Sequence, residues 1–143
     1  MTDIFNWPVR VYYEDTDAGG VVFFANYLKF FERARTEWLR AAGVSQQALK
    51  ELHNVVFVVK STAVDYHAPA KLDDELTLTV ATPKTGRASV QFAQECWRGD
   101  GAEAQLLASG KITVVCVDIR TFRPIPIPDD VLKRFASSDS QPS

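Results

Sequence analysis

The chain has 143 residues, with 16 basic and 18 acidic side chains and a formal net charge of −2. This length predicts one domain, and a balance so close to neutral argues against nucleic acid or an acidic membrane surface as a bulk partner. The longest apolar runs, such as 55–59, are far shorter than the ~20 residues of a membrane span, and the first residues do not resemble a secretory signal. We therefore expect a cytoplasmic protein with a single domain over residues 1–136 and a disordered tail over 137–143.

The first half of the chain has the pattern of a strand followed by helices. Apolar and polar residues alternate from Pro8 to Tyr13, which predicts a strand that begins at the proline. Apolar residues then recur every three or four positions from Tyr27 to Ala42, which predicts an amphipathic helix of about five turns. Asn26 is a candidate N-cap, and Gly43 fits the residue after the helix end. A short second helix is predicted over 45–52, with its first residue, a serine, as the cap.

The second half has the pattern of antiparallel strands. They are predicted over residues 55–66, 76–81, 89–97 and 106–117, before a last short helix over 129–135. Hairpin-length turns at 83–86 and 98–101 favour a meander. The long helix is the element with enough apolar surface to cover this sheet, so we predict an α+β fold in which a curved antiparallel sheet wraps around one central helix. Cys96 and Cys116 are expected to be free buried thiols.

An acidic turn separates the first strand from the long helix. Glu14, Asp15 and Asp17 fall within four positions, and there is no basic residue between Arg10 and Lys29. The helix that follows begins with N–H groups that have no partner inside the helix, and its dipole places partial positive charge there. A carboxylate beside such donors suits attack on, or hydration of, a polarised carbonyl. The residues alone slightly favour a structural alternative, in which both aspartates form Asx turns and cap the helix.

Other kinds of site find less support in the sequence. A calcium loop that began at Asp15 would need a bidentate glutamate where Asn26 stands. The Gly19-Gly20 pair precedes a helix, but the lysine and serine or threonine of a phosphate loop do not follow it. His53 and His67 have no second ligand at metal spacing, and no Gly-x-Ser-x-Gly motif of a serine hydrolase occurs.

Five segments resemble a known family. The stretch Tyr13–Val22, the pair Asn26-Tyr27 and the segment Glu32–Arg35 are similar to the hotdog-fold acyl-CoA thioesterases of the 4-hydroxybenzoyl-CoA thioesterase class. The similarity includes Tyr66–Asp74 and Val114–Asp118, covers nearly the whole chain and is greatest to the Tol–Pal-associated, YbgC-like branch. It implies hydrolysis of an acyl-CoA to a free acid and coenzyme A, without a metal or organic cofactor.

The resemblance also implies two catalytic groups. Asp17 would be the catalytic carboxylate, as nucleophile or as general base, and the backbone N–H of Phe24 would donate to the thioester oxygen. Many Tol–Pal-associated relatives carry histidine where this chain has Phe24. A phenylalanine side chain transfers no proton, so the route by which the leaving thiolate is protonated is left open.

The resemblance further implies where the substrate and partners bind. The active site would lie at the interface of a homodimer or homotetramer, with the coenzyme A nucleotide on Arg87 and, by proximity, on Lys84. From the residues alone, Lys84, Arg87 and Lys111 could form a small basic patch, but a solvated hairpin end is favoured. The acyl chain would run along apolar side chains that include Phe23, Tyr27 and Phe57.

Alternatives in partner and function are also left open. Acyl carrier protein is a second candidate carrier of the acyl group, and peripheral association with inner-membrane machinery is a further candidate interaction. A different class of function is a non-catalytic acyl-CoA or acyl-carrier-protein binding module of the envelope machinery. A hotdog hydratase is disfavoured because neither histidine is close to the acidic motif in sequence.

Overall fold

The computed structural model describes residues 4–81 and 83–140. The chain forms, in order, β1 (Ile4–Arg10), α1 (Asn26–Ala41), α2 (Gln46–His53), β2 (Val55–Tyr66), β3 (Glu75–Ala81), β4 (Lys84–Thr85), β5 (Ser89–Arg98), β6 (Gln105–Asp118) and α3 (Asp129–Ser140). The predicted α+β class is confirmed. None of the helices in this described part is long and apolar enough to cross a membrane.

The strands form one antiparallel sheet in the order β1-β3-β5-β6-β2, with β4 paired to β5. The predicted meander is correct for β3, β5 and β6 but wrong for β2, which pairs with β6 at the far edge. The reason lies in the connection over residues 67–74. Its Ala70 accepts a hydrogen bond from the Val22 N–H and donates to the Tyr27 hydroxyl, so the chain crosses the start of α1 instead of turning back.

Helix α1 packs its apolar face against the inner face of the sheet. Phe30, Phe31 and Ala34 have no exposed surface, and Trp38 is 5% exposed. This continuous apolar stripe at helical spacing is what holds the helix on the sheet. The helix ends as predicted, because Gly43 adopts a φ of 82°, a left-handed conformation that glycine reaches without steric cost.

Some predicted ends of elements were displaced. β1 already includes Ile4, and Pro8 lies within it opposite Thr77, which an edge strand permits because one side of its backbone needs no donor. Ser45 does cap α2, since its hydroxyl accepts from the Ala48 N–H at 3.1 Å. Helix α3 continues to Ser140 instead of ending near 135, because no proline or glycine follows its start until Pro142. Residues 141–143 of the predicted tail lie outside the described residues.

The two cysteines are free and buried, as predicted. Cys96 lies opposite Ala108 in the β5–β6 pair, and it has no exposed surface. Burial raises the pKa of the Cys96 thiol to about 12 and also raises the pKa of Cys116. Both side chains therefore pack as small apolar groups in the core.

Candidate active site

A short hairpin holds the acidic turn against the start of α1. Thr16 and Val22 form a β-bridge, and the Asp17 N–H donates to the Val21 carbonyl at 2.9 Å. The Phe23 N–H donates to the Asp15 carbonyl at 3.2 Å. The backbone at 15–17 therefore runs beside the backbone at 21–23, immediately before the first turn of the helix.

Asp15 is a structural member of this turn. Its side chain is 5% exposed. One carboxylate oxygen, Oδ1, accepts from the Asn26 side-chain amide, and the other, Oδ2, accepts from the Tyr12 N–H, both at 2.9 Å. The carboxylate thus ties the end of the first strand to the first residue of α1. Asn26 begins the helix, and its side chain holds Asp15 instead of capping the helix, so the predicted N-cap was wrong.

Asp17 lies in different surroundings, although it is only two positions further on. Its side chain is exposed, and Oδ1 accepts from the Gly19 N–H at 2.8 Å, which is an Asx-type contact. No donor in residues 4–81 and 83–140 bonds to Oδ2. Gly20, with φ 81°, supplies the left-handed backbone that closes the turn. One oxygen of Asp17 therefore fixes the side chain, and the second is open to water or substrate.

The first helical turn leaves two backbone donors open. The Asn26 N–H bonds to the Phe23 carbonyl at 2.8 Å and the Tyr27 N–H to the Phe24 carbonyl at 3.4 Å, so helical bonding begins at Phe23. The N–H groups of Phe24 and Ala25 find no acceptor in the described chain. Phe24 is 61% exposed, which puts this end of the helix at the surface. Open donors at the positive end of a helix dipole attract a carbonyl oxygen that gains negative charge.

An aromatic groove of about 320 Å³ adjoins this turn, with Phe24, Tyr27, Tyr66 and His67 among its lining side chains. The Tyr66 hydroxyl donates to the Phe24 carbonyl at 3.0 Å. Tyr27 is 2% exposed, so it forms a wall of the groove. Burial raises the pKa of both tyrosines further above neutral pH, so their hydroxyl groups are protonated donors there.

The other predicted substrate residues lie elsewhere. Phe57 is 9% exposed and lines a separate cavity of about 260 Å³. Lys84 and Arg87 are exposed at the start of the β4–β5 segment, and the Arg87 carbonyl accepts from the Ile127 N–H at 2.9 Å. The helix start thus gathers Asp17, Phe24 and the ring of Tyr27, whereas the predicted nucleotide-binding cations lie beside the C-terminal segment.

The sequence did not predict the surroundings of three residues: Asp15 and Tyr66 at the helix start, and Arg35 at the separate cavity. Asp15 could not be separated from Asp17, because both belong to one acidic run. Tyr66 lies on a strand far from the helix in sequence, so no local pattern links it to Phe24. Arg35 is different, since it falls four positions after Phe31 on the apolar face of α1, and that spacing would have predicted a buried cation.

The fold is that of the hotdog-fold thioesterases. The sequence pattern of the thioesterase-like superfamily matches residues 11–135, and the chain belongs to that superfamily. Within it, the chain belongs to the YbgC-like acyl-CoA thioesterases, which confirms the resemblance.

Individual relatives support this assignment. The chain is 45% identical over 131 residues to the acyl-CoA thioesterase YbgC of Haemophilus influenzae, which covers 92% of this chain and 93% of the relative. It is 47% identical over 134 residues to the acyl-CoA thioester hydrolase YbgC of Escherichia coli O6:H1, with coverage of 94% and 97%. The crystal structure of a 1,4-dihydroxy-2-naphthoyl-CoA thioesterase from Synechocystis superposes with a TM-score of 0.81 at 25% identity, covering 97% of this chain and 100% of that one.

Proposed function

We propose that this acyl-CoA thioesterase hydrolyses its substrate at the start of α1, with Asp17 as the catalytic carboxylate. The observation that carries the proposal is that one carboxylate oxygen and two backbone N–H groups at the start of α1 are left unsatisfied. In the described chain, Asp17 Oδ2 has no donor and the N–H groups of Phe24 and Ala25 have no acceptor. The neighbouring Asp15 carboxylate, by contrast, has both oxygens bonded within the fold.

The open amides would stabilise the transition state. When the thioester oxygen accepts from the Phe24 N–H, the negative charge that develops on it lies at the positive end of α1. One preorganised donor of this kind lowers the barrier by about 3 kcal/mol. The Tyr66 hydroxyl, bonded to the Phe24 carbonyl, fixes the same peptide segment. The Phe24 N–H and the Tyr66 hydroxyl keep their protons throughout cleavage of the carbon–sulfur bond.

Asp17 offers two routes to hydrolysis. As a general base it takes a proton from water, the hydroxide adds to the carbonyl carbon, and collapse of the tetrahedral intermediate breaks the carbon–sulfur bond. As a nucleophile it forms an anhydride, expels the thiolate, and is then released by water. Label found in the Asp17 side chain after a single turnover in ¹⁸O-labelled water would identify the nucleophilic route, because water then attacks the aspartyl carbonyl of the anhydride, whereas the general-base route never labels the enzyme.

We propose that Arg87, with Lys84 beside it, binds the coenzyme A nucleotide. Both side chains are exposed cations on the segment that leads into β5. Arginine forms bidentate, charge-assisted hydrogen bonds with phosphate, which suits it to the nucleotide end of the substrate. Such a contact is remote from the thioester and is made equally in the ground and transition states.

We also propose that the enzyme assembles through β2. This strand is an edge of the sheet over Val55–Tyr66, and its ladder partner within the described residues is β6. Side chains 59–63 are exposed, and Val59 is 51% exposed although it is apolar. A long unpaired edge of this kind is a template for another strand. Light scattering is expected to show particles of two or four chains, and a stable monomer would contradict the proposal.

The test is a panel of acyl-CoA substrates, from acetyl to palmitoyl, assayed with the wild-type protein and with Asp17→Asn. The variant is expected to lose at least about 100-fold in kcat/KM, because the amide accepts no proton and is a poor nucleophile. Asp100→Asn, at an exposed turn, is the matched control and should keep wild-type rates. Hydrolysis by Asp17→Asn within a few-fold of wild type would rule out Asp17. Tight acyl-CoA binding with turnover no faster than buffer would favour the non-catalytic binding module.

A further inference from the structure

The second cavity lies between the later turns of α1 and the inner face of the sheet. Its volume is about 260 Å³. Phe57, Phe92 and Val114 line it from three neighbouring strands, and Arg35 and Leu39 line it from the helix. Most of the lining side chains are apolar, and Arg35 and Glu32 are the two charged ones.

Arg35 is a buried cation without a carboxylate partner in the described part of the chain. It is 8% exposed, and within the described residues no acidic oxygen lies within 4.0 Å of its guanidinium group. Its Nη1 donates to Gln94 Oε1 at 3.0 Å, and Gln94 is itself fixed by donation to the Phe31 carbonyl. A guanidinium has five N–H donors. Because no fully buried polar side-chain atom in the described chain lacks a partner, the remaining donors reach the cavity.

Such an arrangement is costly for the fold alone. An unpaired charge away from water loses hydration, and burial indeed lowers the pKa of Arg35. The nearest source of negative charge is Glu32, one helical turn earlier on the same face, which also lines the cavity but is exposed. Thr36 and Gln46 add uncharged polar groups. An anionic acceptor inside the cavity would therefore satisfy the donors that Gln94 leaves over.

The distance from the proposed thioester site to the cavity can be estimated along α1. Arg35 follows Phe24 by eleven residues, or ~16 Å of helix rise, and its side chain tilts back towards the helix start, which leaves roughly 10–16 Å. Strand β2 points in the opposite direction to α1, since Tyr66 contacts Phe24 at one end and Phe57 lines the cavity at the other. At ~1.2 Å per bond of an extended chain, about 8–12 carbons span this distance.

We propose that this cavity receives the far end of the acyl group and that Arg35 binds a terminal carboxylate there. The substrates would then include ω-carboxyacyl thioesters of about 8–12 carbons. The proposal rests on the proposed function, because it takes the thioester to lie at the start of α1. It adds a selectivity that the catalytic groups do not supply.

The experiment measures binding separately from turnover. In the Asp17→Asn background, decanedioyl-CoA and decanoyl-CoA are titrated by calorimetry, with and without Arg35→Met. Arg35→Met is expected to lower the affinity for decanedioyl-CoA at least about tenfold and to change the affinity for decanoyl-CoA less than threefold. Only decanedioyl-CoA loses a charged hydrogen bond. Glu32→Gln is expected to raise the affinity for decanedioyl-CoA, because it removes a negative charge that repels the terminal carboxylate of the ligand.

Several results would overturn the proposal. Equal weakening of both ligands by Arg35→Met, with or without loss of the dimer, would assign Arg35 to structure or assembly. If Arg35→Met fails to fold, a second result still overturns the proposal. In that result decanedioyl-CoA binds tenfold more weakly than decanoyl-CoA, and Glu32→Gln leaves its affinity unchanged. The rate at which the wild-type protein hydrolyses decanoyl-CoA distinguishes failure of this inference from failure of the proposed function. If decanoyl-CoA is hydrolysed but Arg35→Met does not selectively weaken decanedioyl-CoA binding, this inference alone is wrong. If Arg35→Met has that selective effect but no acyl-CoA is hydrolysed, the proposed function alone is wrong.

Discussion

The start of α1 and the cavity beside Arg35 both hold unused hydrogen-bond donors, but in opposite surroundings. The open amides belong to a segment where Phe24 is 61% exposed, whereas Arg35 is 8% exposed. Water satisfies the amides until a substrate displaces it, so they cost the fold little. Arg35 keeps only its cavity-facing donors accessible, and the rest of the guanidinium loses hydration, which lowers stability. Exposed donors at a helix start suit a reaction site, and buried donors beside a cavity suit the selection of a ligand.

The largest expected effect separates the two aspartates of the acidic turn. Asp15→Asn is expected to lower the free energy of unfolding by about 1–3 kcal/mol, because an amide NH₂ would face the N–H donors of Tyr12 or Asn26. Asp17→Asn, the same chemical change on an exposed side chain, should alter it by less than about 0.5 kcal/mol. Urea denaturation measures both. Equal losses would mean that Asp17 is as structural as Asp15.

This pair also shows what the sequence could and could not predict. The amphipathic spacing of α1, Gly43 at its end and the Ser45 cap are local signals, and each was read correctly. The partner of β2 is a non-local choice that depends on where residues 67–74 run, so hairpin reasoning failed there. The two aspartates have the same neighbours in sequence, and only the fold shows that one is bonded on both oxygens and the other is open.

Arg87→Ala tests the remote end of the substrate. We expect KM for acyl-CoA to rise about tenfold with kcat nearly unchanged, because a phosphate contact is equal in the ground and transition states. Lys50→Ala, an exposed cation on α2, is the control and should leave KM at its wild-type value. If kcat collapsed while KM stayed constant, Arg87 would belong to the chemistry and not to nucleotide binding.

Tyr66→Phe tests whether the hydrogen bond from the Tyr66 hydroxyl positions the backbone of Phe24 for catalysis. The variant loses the hydrogen bond to the Phe24 carbonyl, which is worth about 1 kcal/mol, and kcat/KM should fall about fivefold. The ring and the groove wall are kept, so KM should change less than kcat. Steady-state kinetics gives both values. Wild-type kcat would show that this bond does not position the Phe24 peptide.

The smallest expected effect concerns the core thiols. The pKa of Cys96 is raised from 9.0 to about 12, so the protonated form is favoured in the folded protein, and the associated stability is present below pH 9 and lost as pH rises towards 12. Iodoacetamide at pH 8 should modify neither Cys96 nor Cys116 in the folded protein and both in urea. Mass spectrometry counts the adducts. Rapid modification without denaturant would show that the core opens near the sheet centre.

A crystal structure of Asp17→Asn with decanoyl-CoA tests the central claim most directly. The thioester oxygen is expected about 2.7–3.1 Å from the Phe24 nitrogen, with the carbonyl carbon facing the side chain at position 17. A thioester bound away from the first turn of α1, with the Phe24 N–H still open to water, would contradict the account.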